Sequence, residues 1–505
     1  MRLRGRISPS AKNRIVESAL VVALVALTIT LHLWVPGLVP SGPDGGNWLA
    51  MAQNRFLARD VMAAAVTYPP LLPFVLAGLL LPLQPIVAIT TIALAAKCLF
   101  AFAVYLCARP MGRAYALAAA VLVATAGAQL EAYSWGAYPQ ILGTAFGIAC
   151  TFYAVRFVVS RHRAELWAAL ALALLTYATH TLVGGLLLFA VPIAVAHGLW
   201  LARGGREDWI RGAWTALLLS GPGALLAAYN FMLNPQPGVQ PVLNPLSQGW
   251  SESVAKTISD APVPWVLVSV MGIGALVIRR WEPPRAFTVA TSSAWVAVGT
   301  LFFAVIGEPR ALLLTQFGLV LLALLLYQRM IQRIREWPWE RGLVRSAIAR
   351  SVAILGIATL SAIVVGGIDS YSNATSWYRV VDHQEIEALD VLQAEASPGD
   401  LVVAARGHHG NQTGWWVQGY AGLPTFTGVD PRFLTFPEER DQAIVANEFF
   451  AQKAINAKSL ETLSEIGADF LVVDRRGPDS GWLDSEMAQR FHVIYDSPTV
   501  VVLRV

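Results

Sequence analysis

The chain has 505 residues, of which 55% are hydrophobic and only 14% are charged. Soluble domains carry about 25% charged residues, so this composition excludes an ordinary soluble protein, and the apolar content excludes a disordered chain. Residues 1–367 carry 27 Lys+Arg against 13 Asp+Glu, whereas residues 368–505 carry 10 against 20. The net charge of +4 is therefore the sum of a basic first part and an acidic last part. This distribution is typical of a membrane protein with an acidic soluble domain rather than of a nucleic-acid-binding protein.

Apolar runs predict eleven transmembrane helices. A bilayer core requires roughly 20 apolar residues per helical span, because every backbone N–H and C=O must find its partner inside the segment. The stretch 69–83 is apolar but short, and its four prolines interrupt helical hydrogen bonding, so we predict that it does not cross. The predicted spans lie at about 18–36, 85–107, 114–130, 140–160, 165–180, 182–201, 212–230, 263–279, 286–306, 311–328 and 347–367.

The distribution of Lys and Arg predicts the orientation of these spans. With 69–83 outside the membrane, the loops on one side hold 22 Lys/Arg and those on the other side hold four. Cytoplasmic loops carry the excess of positive charge. We therefore predict a protein of the plasma membrane with a cytoplasmic N-terminus, an uncleaved first span and an extracytoplasmic domain at 368–505.

The long first outer loop, residues 37–84, contains the first candidate catalytic residue. Glycines and a proline surround Asp44 in the sequence SGPDGGNW, a composition that predicts a turn. The following segment, 48–59, has apolar residues at helical spacing and predicts an amphipathic helix in the membrane interface. Asp44 is therefore a candidate base beside the membrane, the alternative being an ordinary loop in which Asp44 caps a helix.

The second outer loop, LEAYSWGAYPQ, offers Glu131 as its only charge, among aromatic residues that include Tyr138. Aromatic residues at this level are common in membrane proteins as interface anchors. A lone carboxylate at the end of a span is costly and indicates function. We therefore place Glu131 beside Asp44 as a second candidate catalytic group.

Two further outer segments carry polar residues. Glu308 and Arg310 follow the ninth span, and the guanidinium of Arg310 either pairs locally with Glu308 or receives a phosphate, for which its planar fork is suited. His180, between the fifth and sixth spans, is either a supporting residue of the same site or a polar residue satisfied by its own helix turn.

Residues 368–505 alternate between helical and strand patterns. Helices are expected at 380–396 and 459–467, and strands at 401–405, 469–474, 492–496 and 499–505, with the last two forming a hairpin. This order predicts a small α/β domain. The segment between, 406–428, is expected to be a long loop whose aromatic residues, including Trp415 and Trp416, contact the acceptor.

The architecture and several short motifs resemble the GT-C superfamily of integral membrane glycosyltransferases, which includes oligosaccharyltransferases, protein O-mannosyltransferases and aminoarabinose transferases. GPDGGNWLAMA carries Asp44 at the place of that superfamily's first-loop acidic residue, and YPPLLPFVLAG is similar to its Pro-Pro-Leu stretch. Glu131 matches the second-loop acidic motif, here a single Glu. EPRALLLTQF is similar to the late segment whose Arg contacts the donor phosphate. Trp415-Trp416 is similar to the Trp-Trp-Asp motif, but Val417 replaces the Asp.

This resemblance implies transfer of a sugar from a polyprenyl-phosphate-linked donor to a glycan, lipid or protein acceptor at the outer face, with membrane lipids and no nucleic acid as partners. It implies catalytic Asp44 and Glu131, Arg310 on the donor phosphate, and supporting roles for His180, Glu308, Tyr138, Trp415 and Trp416. Asp44 and Glu131 together are a candidate site for Mg²⁺ or Mn²⁺. A transporter or flippase is the alternative, favoured by the apparent interruption of the seventh span at Gly221-Pro222-Gly223, and a non-catalytic scaffold is a third possibility.

Overall fold

A computed structural model describes two compact units of the chain. It covers residues 9–35, 37, 39–40, 42–53, 69–233, 262–278, 280–306, 311–336, 342–431, 434, 437–452, 457–484 and 490–505. The first unit comprises Met1–Leu31, Ala96–Leu130 and Pro139–Asp369, and the second comprises His32–Ala95, Glu131–Tyr138 and Ser370–Val505. The second unit thus joins the acidic C-terminal domain to residues of both predicted outer loops.

Each predicted span except 114–130 falls on a single helix, because a long apolar run satisfies its backbone groups in that form. The span 114–130 falls on two helices, Arg113–Ala124 and Gly127–Trp135, that meet at a bend. By length and composition, seven of the described helices qualify as membrane-crossing, or eight if the bent pair Arg113–Ala124 and Gly127–Trp135 is one span. The protein is therefore an integral membrane protein. The helices Arg163–Thr179 and Val263–Leu276 have only 17 and 14 residues, and Arg206–Leu233, with 28 residues, is not among those that qualify, so the number eleven is not confirmed. The helices are α1 (Pro9–Trp34), α2 (Pro43–Ala50), α3 (Leu71–Leu80), α4 (Pro85–Ala108), α5 (Arg113–Ala124), α6 (Gly127–Trp135), α7 (Tyr138–Ser160), α8 (Arg163–Thr179), α9 (Thr181–Ala202), α10 (Arg206–Leu233), α11 (Val263–Leu276), α12 (Pro283–Ile306), α13 (Ala311–Glu336) and α14 (Gly342–Tyr378).

The seventh span is not interrupted as the sequence suggests. Helix α10 runs through Gly221-Pro222-Gly223 without a break. Gly223 leaves the space that the Tyr177 ring occupies, since a Cβ there would lie 2.0 Å from that ring. The Tyr177 hydroxyl donates to the carbonyl of Leu219, 2.9 Å away, one turn before Gly223. The feature that favoured a transporter is therefore a packing contact within a continuous helix.

The C-terminal domain is α/β, as the sequence predicts. Its elements are α15 (His383–Glu395), β1 (Leu401–Ala404), β2 (Thr425–Thr427), α16 (Pro437–Phe450), α17 (Ala457–Ile466), β3 (Ala468–Asp474), β4 (His492–Asp496) and β5 (Val500–Arg504). The five-stranded sheet has the order β2-β1-β3-β5-β4, with β1 parallel to β2 and β3, and with β5 antiparallel to β3 and β4. The sequence missed β2 and α16. The segment 406–428 is therefore not one long loop.

A buried cluster of charges around Arg476 joins the sheet of this domain to α15, in addition to the exposed pair between Arg504 and Glu395. Asp382 caps α15 in a capping box with Glu385. Arg476, just after β3, contacts Glu385 and forms an ion pair with Asp474 at 3.0 Å, and it reaches Asp382 at 3.4 Å. The side chains of Glu385 and Asp474 are almost fully buried, so their charges depend on this guanidinium.

Replacing Arg476 should therefore destabilise the domain strongly. Arg476→Ala leaves two buried carboxylates without a cation, which costs about 3–5 kcal/mol in comparable pairs. Hydrogen exchange of the β3 and α15 peptides in the full-length protein should accelerate. Arg475→Ala removes an exposed ion pair with Asp496 and an exposed hydrogen bond to the Ser497 carbonyl, and it should cost about 1 kcal/mol. Equal effects of the two substitutions would contradict this account.

Candidate functional site

Asp44 lies in the first turn of helix α2. Gly42 is the N-cap, Pro43 the first helical residue and Asp44 the second, so the predicted turn is wrong and the segment starts a helix. Proline suits that position because its missing N–H would have no partner there, and an acidic residue in the first turn is stabilised by the helix dipole. Asp44 is only half-buried, whereas Gly45, Gly46 and Trp48 are buried.

On one side, α2 lies directly against residues 134–136 of the second outer loop. A Cβ on Gly42 would come within 2.3 Å of the Ser134 carbonyl oxygen, and a Cβ on Gly136 within 2.8 Å of the Cβ of Asp44. Gly136 also has a φ of +102°, which other residues rarely adopt. The Trp48 indole N–H donates to the Gly136 carbonyl at 2.7 Å. These contacts bring Asp44 against the loop that carries Glu131.

On the other side, α2 lies against a short helical segment, the tryptophan turn, made of Gly414–Trp416 and the π-helical Val417–Ala421. The Trp416 indole N–H donates to the Gly42 carbonyl at 3.1 Å. A Cβ on Gly46 would lie 2.5 Å from the Trp416 backbone nitrogen, and one on Gly419 would lie 2.3 Å from the Gly46 carbonyl oxygen. Helix α2 is thus held between two backbones at distances that glycine alone allows.

Trp415 and Trp416 are therefore packing residues in this structure. They are 8% and 0% exposed, so neither indole offers an open face to an acceptor. Trp416 covers Gly45 and fixes the start of α2, and Trp415 belongs to a small core cluster with Val429 and Leu434. The tandem Trp motif thus helps to position Asp44 by packing against the start of α2.

Beneath Asp44 lies a buried aromatic cluster. The Asp44 carboxylate interacts electrostatically with the hydroxyl of Tyr138, which is 1% exposed. Tyr133 packs edge-on against Tyr138 at 5.5 Å between ring centroids, and its hydroxyl lies 2.7 Å from Nδ1 of His32. His32, to which the sequence gave no role, therefore helps to fix the loop that faces Asp44.

Glu131 lies on α6 and is exposed. The Tyr378 hydroxyl, at the end of α14, donates to Glu131 Oε1 at 3.3 Å. The Tyr378 ring also lies 6.3 Å from the ring of Trp135, which is one helical turn after Glu131. One tyrosine thus contacts the carboxylate and the aromatic residue on the same face of α6.

Next to Tyr378 in the chain, Trp377 forms an exposed stack with a histidine. Trp377 is 53% exposed, and the His409 ring lies parallel to it at 3.7 Å with an interplanar angle of 9°. The Asn411 side-chain amide donates to the Trp377 carbonyl at 3.2 Å, which ties the 408–411 segment to the end of α14. Desolvation, and then the charge of His408, lower the pKa of His409, which favours the neutral ring. We call Glu131, Trp135, Trp377, Tyr378 and His409 the aromatic platform.

The structure does not show the remaining predicted site residues, His180, Glu308 and Arg310, beside Asp44. His180 is the N-cap of α9, where its Nδ1 accepts the Val183 N–H at 3.4 Å, and its supporting role in the site stays a prediction. Glu308 and Arg310 lie outside the described residues. Within the described ranges, no group of three or more His, Cys, Asp or Glu side chains is arranged to hold a metal ion.

Sequence reasoning missed Gly136, Trp377 and Tyr378. The Gly-Ala-Tyr sequence after Trp135 signals a loop but not the close approach of Asp44. Trp377 and Tyr378 stand at the end of a long apolar helix, where aromatic residues are ordinary interface anchors. Only the tertiary structure places them beside Glu131 and His409.

Comparison with known proteins identifies the fold. No family model and no curated protein sequence matches the chain. Among solved structures, ArnT from Cupriavidus metallidurans bound to undecaprenyl phosphate is similar at 15% identity and a TM-score of 0.56, over 96% of this chain and 97% of ArnT. Apo ArnT from the same organism gives 16% identity and a TM-score of 0.55, over 97% and 98% of the two chains. The arabinofuranosyltransferase AftD from Mycobacteria gives 12% and 0.54, over 96% of this chain and 41% of AftD. The predicted GT-C fold is confirmed.

The close packing of α2 predicts an unusual response to alanine. In a helix interior, alanine is favoured over glycine by about 1 kcal/mol. Gly46→Ala should nevertheless lower the melting temperature of the full-length protein, because the new Cβ meets backbone atoms of Trp415 and Trp416 and overpacking costs about 1–3 kcal/mol.

Gly78→Ala is the matched control, because Gly78 lies in α3 of the same unit and its Cβ would meet nothing within 4 Å. This variant should melt at the wild-type temperature or slightly above it. A Gly46→Ala protein as stable as Gly78→Ala would show that α2 is not held as tightly as described.

Proposed function

We propose that this integral membrane protein of GT-C fold is a glycosyltransferase that moves a sugar from a polyprenyl-phosphate-linked donor to an acceptor outside the cytoplasm. The observation that carries the proposal is that Asp44, from the first loop, lies directly against Gly136 of the second loop, five residues after Glu131. Two acidic segments that are far apart in sequence thus meet in one compact unit.

The donor class follows from the orientation predicted by the basic loops. Sugar nucleotides are cytoplasmic, so a transferase that works at the opposite face requires a donor anchored in the bilayer. The similarity to an ArnT structure bound to undecaprenyl phosphate supports a polyprenyl-phosphate carrier. The similarity to AftD, an arabinofuranosyltransferase, supports sugar transfer as the reaction class.

The proposed reaction is a displacement at the anomeric carbon. The acceptor oxygen forms a bond to that carbon, the bond to the carrier phosphate oxygen breaks, and the phosphate leaves with the electron pair. The acceptor hydroxyl loses its proton to the carboxylate of Asp44 in the first turn of α2. The leaving phosphate requires electrostatic stabilisation rather than protonation, and Arg310 remains our proposed residue for it on sequence grounds.

The aromatic platform is our proposed contact for the acceptor, in place of the buried Trp415 and Trp416. Its Trp377 has more than half of its surface open, and flat aromatic faces suit the apolar faces of sugar rings. Glu131 would accept hydrogen bonds from acceptor hydroxyls while Tyr378 holds its orientation. A glycan, or a lipid or protein that carries one, is the acceptor class that fits these groups.

A divalent cation remains a proposal. Asp44 and Glu131 would supply carboxylate oxygens, the ligands that Mg²⁺ and Mn²⁺ prefer, and acceptor or phosphate oxygens and water would have to supply the rest. The proposal is tested directly by adding a chelator to the transfer assay and restoring each metal in turn.

The function is tested by incubating the purified protein with a panel of radiolabelled polyprenyl-phosphate sugars and membrane glycan acceptors. Label should leave at least one carrier lipid and appear on an acceptor. A protein that binds such lipids in vesicles and moves them across the bilayer, but never cleaves the sugar–phosphate bond, would be a flippase instead.

Asp44→Asn should abolish transfer without loss of fold. The amide keeps the shape but cannot take up the hydroxyl proton, so the rate should fall by about 10²–10⁴-fold. Melting temperature and size-exclusion profile should match those of wild type. Asp441→Asn, at an exposed position on α16 in the same unit, should transfer normally; wild-type turnover by Asp44→Asn would remove Asp44 from the mechanism.

Trp377→Ala should weaken acceptor binding. Loss of a stacking face is expected to raise KM for the acceptor several-fold while changing kcat and the donor KM little. Trp167→Ala, which removes another exposed indole (69% exposed) from the first unit, serves as the control. An unchanged acceptor KM in Trp377→Ala would move the acceptor site away from the platform.

A further inference from the structure

A polar cavity lies in the first unit, where α11 joins α12 and where α13 ends. It has a volume of about 260 Å³, and we call it the arginine cavity. It takes no part in the proposed transfer reaction. Its lining residues are Arg280, Trp281, Glu282, Arg285, Arg329, Gln332, Arg333 and Glu336.

The cavity is built by one face of α13 and the segment that precedes α12. Arg329, Gln332, Arg333 and Glu336 are spaced by three, four and seven residues, so they lie along the same face of α13. The Arg329 guanidinium lies over the Trp281 ring at 5.2 Å and donates to the Arg280 carbonyl at 2.7 Å, which joins the two walls. The wall is therefore organised by specific contacts.

Positive charge in this cavity is largely uncompensated. Its lining contains four arginines and two glutamates. Glu282 pairs with Arg285 at 3.4 Å. Among the residues that the structure describes, no carboxylate lies within ion-pair distance of Arg280, Arg329 or Arg333. Three guanidinium groups thus lie around one space without a described carboxylate at ion-pair distance, although Glu336 also lines the cavity.

The arginines indicate the class of ligand. An anion with several oxygens would accept from several guanidinium groups together, and phosphate matches the planar fork of arginine.

The position of the cavity at the ends of two membrane-crossing helices indicates that the phosphate belongs to a lipid. Helix α12 begins and helix α13 ends at this cavity, and both contain apolar stretches long enough to cross a membrane, so the cavity lies at the height of lipid headgroups. A neighbouring cavity of about 440 Å³ shares Arg280 and is lined by Leu199, Trp200, Leu201, Trp209, Gly204 and a further arginine, Arg203. A phosphate in the arginine cavity would therefore have apolar side chains, Trp200 and Trp209 among them, beside it for the rest of a lipid.

We propose that the arginine cavity binds the phosphate headgroup of an anionic phospholipid, with its apolar part against Trp200 and Trp209. On the orientation proposed above, this lipid belongs to the cytoplasmic leaflet, whose anionic lipids attract basic residues near the membrane. The site involves neither Asp44 nor Glu131, so it stands or falls independently of the transferase proposal.

The test is native mass spectrometry of the full-length protein with added phosphatidylglycerol or phosphatidylcholine. Wild type should retain phosphatidylglycerol in preference, and inorganic phosphate at equal concentration should not displace it. Arg329→Gln and Arg333→Gln should each weaken phosphatidylglycerol binding about tenfold, because each removes a charge-assisted contact, and should leave phosphatidylcholine binding unchanged.

Arg335→Gln is the matched control. It removes the same charge from the same turn of α13, but Arg335 is not part of the cavity lining, so phosphatidylglycerol binding should stay at the wild-type level. An equal loss in Arg335→Gln would indicate general surface attraction and overturn the proposal. Full retention in both cavity variants, or displacement by inorganic phosphate, would overturn it as well.

Discussion

The placing of Asp44 depends on how closely backbones approach helix α2. On one side Gly42 and Gly136 allow contact with the second loop, and on the other side Gly46 and Gly419 allow contact with the tryptophan turn. Two indole N–H groups, from Trp48 and Trp416, close the arrangement by donating to glycine carbonyls. Glycine costs helix stability, so a helix of eight residues with two internal glycines is held by these tertiary contacts rather than by its own propensity.

The close packing around α2 connects the C-terminal domain with the proposed transfer reaction. The tryptophan turn lies between β1 and β2, so the sheet that carries it also fixes the start of α2. The end of α14 presents Trp377 and Tyr378 to His409 and Glu131. Within its own unit, the domain therefore packs against the helix that carries the proposed base, Asp44. It also supplies His409 to the proposed acceptor contact.

Local sequence patterns predicted the parts of the fold that local physics determines. The apolar run at 85–107 is helix Pro85–Ala108, and the alternating helices and strands after residue 380 form the expected α/β domain. Features set by distant contacts were missed. The glycines around Asp44 indicate a turn until Trp416 is packed against them, and β2, three residues long, exists because β1 pairs with it. Trp415 and Trp416 were expected to face an acceptor, but burial depends on neighbours that the sequence does not reveal.

The central claim is that α2 presents residue 44 to the reacting sugar. The most direct measurement is a cryo-electron microscopy structure of the Asp44→Asn protein with its polyprenyl-phosphate sugar bound. Our account predicts the anomeric carbon within about 6 Å of the Asn amide, with space for a single acceptor oxygen between them. Sugar density elsewhere, with the residue 44 side chain facing protein alone, would contradict it.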